Sequence, residues 1–140
     1  MRGVIASLVF LAALTASAEL KKVTDFYSES EQQYKKAQSE KTFAARAKIL
    51  RELESSLEGT LQEYEKKNPR EAEKDEKEVS LFHSTLEAAY DIAHKKTADQ
   101  KDCAKKRQSV LTGDSMGRGE SAPLTKPAQE TLRWIDLLCK

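Results

Sequence analysis

The chain has 140 residues, which leaves room for one domain at most. Its 24 basic and 23 acidic side chains nearly cancel, so no long-range field favours nucleic acid, and none is expected as a partner. Charged residues make up 34% and aromatics 6%, yet large apolar residues recur regularly, which excludes a disordered composition and allows a thin core.

Residues 1–18 read as a secretory signal peptide. Met1-Arg2 is basic, Val4 to Leu14 is uncharged and apolar, and Ala16-Ser17-Ala18 has the small-x-small form that signal peptidase cleaves. The apolar run is about half of the roughly twenty residues a spanning helix needs. Cleavage after Ala18 is expected to release residues 19–140 to the periplasm or the medium without a transmembrane anchor. No Cys follows the cleavage point to accept a lipid. Loss of Arg2 leaves 23 basic against 23 acidic residues.

The remainder predicts an all-α chain, either an elongated antiparallel hairpin or a three-to-four-helix bundle with a short C-terminal helix. The first helix is expected over 20–67. Its apolar positions Leu50, Leu53, Leu57, Leu61 and Tyr64 are spaced 3, 4, 4, 3, a seam like that of a coiled coil. The polar stretch Gln38–Thr42 marks a bend or break. Gly59 lies inside the seam and reads as a close approach of another helix. Asn68-Pro69 starts the next helix, with Asn as N-cap, Pro in the first turn and Glu71 reaching back. That helix is expected over 69–108. Val79, Phe82, Leu86, Ala89 and Ala93 form its apolar face, widened by Leu81, Ala88 and Ile92. A Gly-rich loop follows over 112–123. The last helix, 126–139, has Pro127 in its first turn. Ala128, Leu132, Ile135 and Leu138 face inward, and Trp134 lies at the edge of that face.

Cys103 and Cys139 predict one disulfide, since an even count in an oxidising compartment favours pairing. The bridge closes a loop of about 36 residues, worth roughly 3–4 kcal/mol in loop entropy. It would also hold the Gly-rich segment in shape. Ser115, Met116 and Arg118 are therefore the candidate partner-binding loop.

Two catalytic or metal-binding alternatives arise. Gly113-Asp114-Ser115-Met116-Gly117 matches G-x-S-x-G, the nucleophile elbow of hydrolases, with His94 and Asp102 as conceivable partners. That chemistry needs a strand-to-helix turn beside a histidine, and no strand is predicted. His83, Glu87, Asp91 and His94 fall at i, i+4, i+8 and i+11 on one helical stripe, with Asp91-x-x-His94 spaced as in di-iron bundles. Matching carboxylates on other helices are not identifiable, so a weak surface zinc site is the most this stripe implies, and no cofactor is expected. Lys95, Lys96, Lys101, Lys105, Lys106 and Arg107 form a basic stretch that could meet an acidic partner. Leu124-Thr125-Lys126-Pro127-Ala128-Gln129 is similar to the Leu-Thr-x-x-Gln signature of periplasmic stress chaperones. Its Gln stands one place late, in a single copy instead of two, so no family is assigned from it.

The expected function is accordingly an exported helical interaction protein of the cell envelope, an adaptor, chaperone-like cradle or enzyme inhibitor. Its partner would be another protein, with homodimerisation open. A small hydrolase using Ser115 and a weak metal-binding bundle are the alternatives.

Overall fold

The computed structural model describes residues 20–67, 70–116, 119 and 122–140. The expected signal segment and the Asn68-Pro69 cap lie outside them. Among these residues six α-helices, joined by short turns and one 3₁₀ turn at Arg70–Ala72, pack as a bundle: α1 (Val23–Gln38), α2 (Phe43–Lys67), α3 (Glu73–Thr85), α4 (Glu87–Ala93), α5 (Gln100–Ser115) and α6 (Lys126–Leu138).

The expected first helix is two helices, and the polar stretch is the break. The Ser39 hydroxyl donates to the Lys36 carbonyl at 2.7 Å and closes α1. The Thr42 hydroxyl accepts the Ala45 N–H at 3.2 Å and opens α2 as an N-cap. The chain then folds back. The Tyr64 hydroxyl, near the end of α2, donates to the Lys21 carbonyl before α1 at 2.7 Å. This antiparallel pair buries Leu50, Leu53, Leu57 and Tyr64 along the predicted seam. Gly59 is different: a Cβ built there would meet nothing within 4 Å, so no helix approaches it.

The expected second helix is also divided. Ser84 and Thr85 both turn their hydroxyls back onto the Leu81 carbonyl, at 3.1 and 2.7 Å. Such back-bonding competes with the helical ladder and bends it. The helix is interrupted at Leu86 and resumes as α4, with the Tyr90 N–H donating to the Leu86 carbonyl at 3.0 Å. Helix α4 stops at His94. Asp99 then opens α5 as an N-cap, its carboxylate accepting the Lys101 N–H at 3.0 Å. Helix α5 continues to Ser115, so Gly113, Asp114 and Ser115 are helical and not loop.

The C-terminal helix is the centre of the bundle. It touches α2, α3, α4 and α5 and buries Ala128, Thr131, Leu132, Trp134, Ile135, Leu137 and Leu138. Trp134 is wholly buried, not at an edge. Its indole N–H donates to the Ser30 hydroxyl at 2.9 Å, and its ring meets Tyr34 edge-on at 5.4 Å. Arg133 lies over the Tyr34 ring at 4.0 Å and pairs with Glu31 at 2.7 Å, tying α6 to α1. Two arginines of α2 cap other helices. Arg51 donates to the Ala93 carbonyl at the end of α4 (2.7 Å), and Arg46 to the Leu137 carbonyl near the end of α6 (3.3 Å). Each places a cation where the helix dipole is negative.

The disulfide Cys103–Cys139 is formed, with 6.3 Å between its Cα atoms. It ties the first turns of α5 to the end of α6. Beside it, the Gln100 side chain donates to the Cys139 carbonyl at 2.9 Å. Helix α5 needs such fastening. Among its residues only Cys103 and Val110 are buried.

Candidate interaction groove

The kink at Leu86 and the outward position of α5 leave a groove between them. Leu81, Ser84 and Thr85 of α3, then Glu87, Ala88 and Asp91 of α4, form one wall. Lys106, Ser109, Val110, Gly113 and Asp114 of α5, with Met116 at its end, form the other. Thr125, Pro127 and Ala128 at the start of α6 close one side, and the enclosed volume is about 710 Å³. This lies within the size range of ligand-binding clefts. Small residues at positions 84, 88, 109, 113 and 128 make the space, because no side chain there is long enough to fill it.

Leu81 is 59% exposed and Met116 75%, and they are the exposed large hydrophobics among the described residues. Both stand on this groove. Sequence periodicity places Leu81 with the core, but the helix turns it to the rim, while Ile92 is buried as expected and Ala88 lines the groove. Met116 was a candidate from sequence and Lys106 belonged to the basic stretch; Ser109 and Val110 were not candidates. Ser109 and Val110 fall past residue 108, where the second helix was expected to end, so their common face was not visible.

The candidates for chemistry are dispersed by the same geometry. His83 Nδ1 and the Tyr90 hydroxyl share a hydrogen bond of 3.1 Å, and His83 Nε2 lies 4.0 Å from Glu58 of α2. His94 Nε2 is 2.6 Å from Glu54, also on α2. Glu87 and Asp91 face the groove instead. The predicted stripe is thus split between two sides of the α3–α4 rod. No group of three or more His, Cys, Asp or Glu that could hold a metal ion occurs among the described residues.

Ser115 donates its hydroxyl to the Thr112 carbonyl at 3.1 Å. The Asp114 carboxylate accepts both the backbone N–H (3.2 Å) and the hydroxyl of Thr125, clasping the end of α5 to the start of α6. Both histidines pair with α2, so no imidazole serves Ser115 as a base. Ser115 lies at a helix end, without the strained strand-to-helix turn that activates such a nucleophile. Gly117 and Arg118 lie outside the described residues.

Among the described residues, Glu87, Asp91, Asp114 and Lys106 are the charged side chains that line the groove. Lys106 donates to Asp91 at 3.0 Å across α4 and α5. That hydrogen bond, with the charges of Asp91, Asp102 and Glu87, raises the Lys106 ammonium above its usual range. Glu87 makes no ion pair among the described residues. Three of the six residues of the basic stretch are paired: Lys95 with Asp102, Lys106 with Asp91 and Arg107 with Asp136. Hydrogen bonding from Lys95 lowers the Asp102 carboxyl below its usual range.

Comparison with protein-family models, with characterised proteins and with solved structures returns no match to this chain.

Proposed function

We propose that this chain is an exported, non-catalytic interaction protein of the cell envelope, which holds a protein partner in the groove between α3–α4 and α5. The observation that carries the reading is the coincidence of Leu81 and Met116 on one groove of about 710 Å³. Burying two such side chains against a partner releases roughly 1.5–3 kcal/mol each, on the scale of an interface hot spot. Export is supported by the basic, apolar and small-residue order of residues 1–18 and by the disulfide, which persists in oxidising compartments. No helix among the described residues is long and apolar enough to cross a membrane.

The test places a photo-crosslinking residue at Met116 and, separately, at the exposed Glu52 of α2. A partner crosslinked from Met116 alone, and lost in Leu81→Asp, supports the groove. Identical products from both positions would remove it. Export is checked independently by fractionation and N-terminal sequencing, with Glu19 expected as the first residue.

A further inference from the structure

We propose that Met116 is an oxidation site through which hydroperoxides loosen the groove's hold on its partner, an inference that rests on the interaction reading above. The sulfur of the chain is in two methionines and two cysteines. Met1 belongs to the expected signal segment. Cys103 and Cys139 are joined to each other, so neither offers a thiolate to an oxidant. The thioether of Met116 is then the one reduced sulfur in residues 19–140. It is 75% exposed, at the point where the backbone leaves α5, whereas the ring of Trp134, another oxidisable group, is wholly buried.

The chemistry is oxygen transfer. A sulfur lone pair attacks one oxygen of the hydroperoxide. An S–O bond forms as the O–O bond breaks, and the other oxygen leaves as water or an alcohol. Sulfur loses two electrons and the peroxide gains them. The step is reversed by a dithiol reductase: its two thiols supply two electrons and two protons, the oxygen leaves as water, and the dithiol closes to a disulfide. The consequence follows from where Met116 stands. It lines the groove and also a second hollow along α5 with Lys105, Gln108 and Thr112, so its side chain forms the edge between them. With Leu81 it supplies the exposed large apolar surface of the described residues. Oxidation turns that flexible apolar tip into a strongly polar group, which must shed water when a partner covers it. The core is left alone, since Met116 is no part of it.

The experiment treats the purified protein with dilute hydrogen peroxide and maps the product by peptide mass spectrometry. One added oxygen is expected, on Met116, at a rate close to that of free methionine and with Tm unchanged. Partner capture is then read from a photo-crosslinking residue at Glu87, exposed on the opposite wall of the groove. The yield at limiting partner should fall roughly tenfold on oxidation. It should recover after pre-reduced methionine sulfoxide reductases, which need no added thiol and spare the Cys103–Cys139 bridge. Met116→Leu should keep its yield through the same treatment, and Met116→Gln should start at the lowered yield without it. Oxygen found elsewhere with Met116 intact would overturn the inference. So would a Met116 sulfoxide with undiminished capture, which leaves the groove standing. A loss of capture that Met116→Leu suffers equally would place the sensitive group elsewhere and overturn it too. If untreated protein crosslinks no partner from either Glu87 or Met116, the interaction reading fails and this inference fails with it.

Discussion

Opening the Cys103–Cys139 bridge should cost more than any single polar contact in this fold, and the damage should begin in α5. The bridge joins positions 36 apart. Loop-closure entropy for that length is about 13 cal/mol/K, which is about 3.8 kcal/mol at room temperature. A folded unit of ~120 residues unfolds with an entropy near 250 cal/mol/K, so the shift in Tm is roughly 15 °C. The location follows from burial. Helix α5 buries only Cys103 and Val110 and is otherwise fastened by the Lys106–Asp91, Arg107–Asp136 and Asp114–Thr125 contacts. Helix α6 keeps Trp134, Ile135 and Leu138 packed whether or not the bond is present. Calorimetry with and without reductant, and on the Cys103→Ser, Cys139→Ser double variant, measures the shift. Hydrogen exchange locates it, and amides of α5 should lose protection first. A shift below about 5 °C, or loss of protection in α6 while α5 stays closed, would refute the reasoning.

Other outcomes follow from single sites. Ser30→Ala strands the buried Trp134 indole N–H and should cost about 1–3 kcal/mol in denaturant titration. Added to Trp134→Phe it should cost much less, because the donor is then gone; strict additivity would count against the hydrogen bond. Gly59→Ala should stabilise the chain by about 0.5–1 kcal/mol, since its new methyl enters open space in the middle of α2. Burial, helped by the charge of Glu130, pushes the Tyr27 phenol from 10.0 up to about 12. Tyr64 and Tyr90 are also raised, chiefly by burial. Folded pKa values above unfolded ones give stability that is complete below pH 10 and is lost as pH rises through the folded values. The denaturant midpoint should fall between pH 10 and 12, and less steeply in Tyr27→Phe. A midpoint flat across that range would contradict the burial of these rings.

What could be read from the sequence was whatever depends on local period or on pairing by elimination. Leu50, Leu53, Leu57 and Tyr64 recur at helical spacing and are buried in that register. Two cysteines allow one intramolecular bridge, and it is the one formed. The helix breaks were harder, because each depends on which hydrogen bond a short polar side chain chooses. Ser84 and Thr85 can face solvent or bond back to Leu81, and only the second choice bends the rod. Asp99 is surrounded by good helix formers, which hid its cap. Gly113 looked like punctuation, yet α5 runs through it, and the Asp114 carboxylate is answered by Thr125 on another helix. Trp134 finds its partner 104 positions away, which no local pattern encodes. The groove was the least visible feature, since it is the space left where two helices diverge.

These features share one origin. In a plain sequential bundle, α5 would pack its own apolar stripe against α2 to α4. Its sequence has almost no such stripe: Val110 is buried, Leu111 is half-buried, and Lys, Gln, Ser and Thr hold most other positions. Helix α6 has the apolar face instead and takes the central place. That displaces α5 to the outside, where burial alone cannot hold it. The disulfide, the Asp114–Thr125 clasp and the cross-helix ion pairs do so. An outer helix fastened at its ends and lightly packed along its length stands away from its neighbour, and the apolar rim at Leu81 and Met116 marks that gap. If this account is right, restoring an apolar stripe to α5 should close the groove. Ser109→Leu with Gly113→Leu should raise Tm and abolish partner crosslinking from Met116 together. A rise in Tm with binding intact would separate the packing of α5 from the groove.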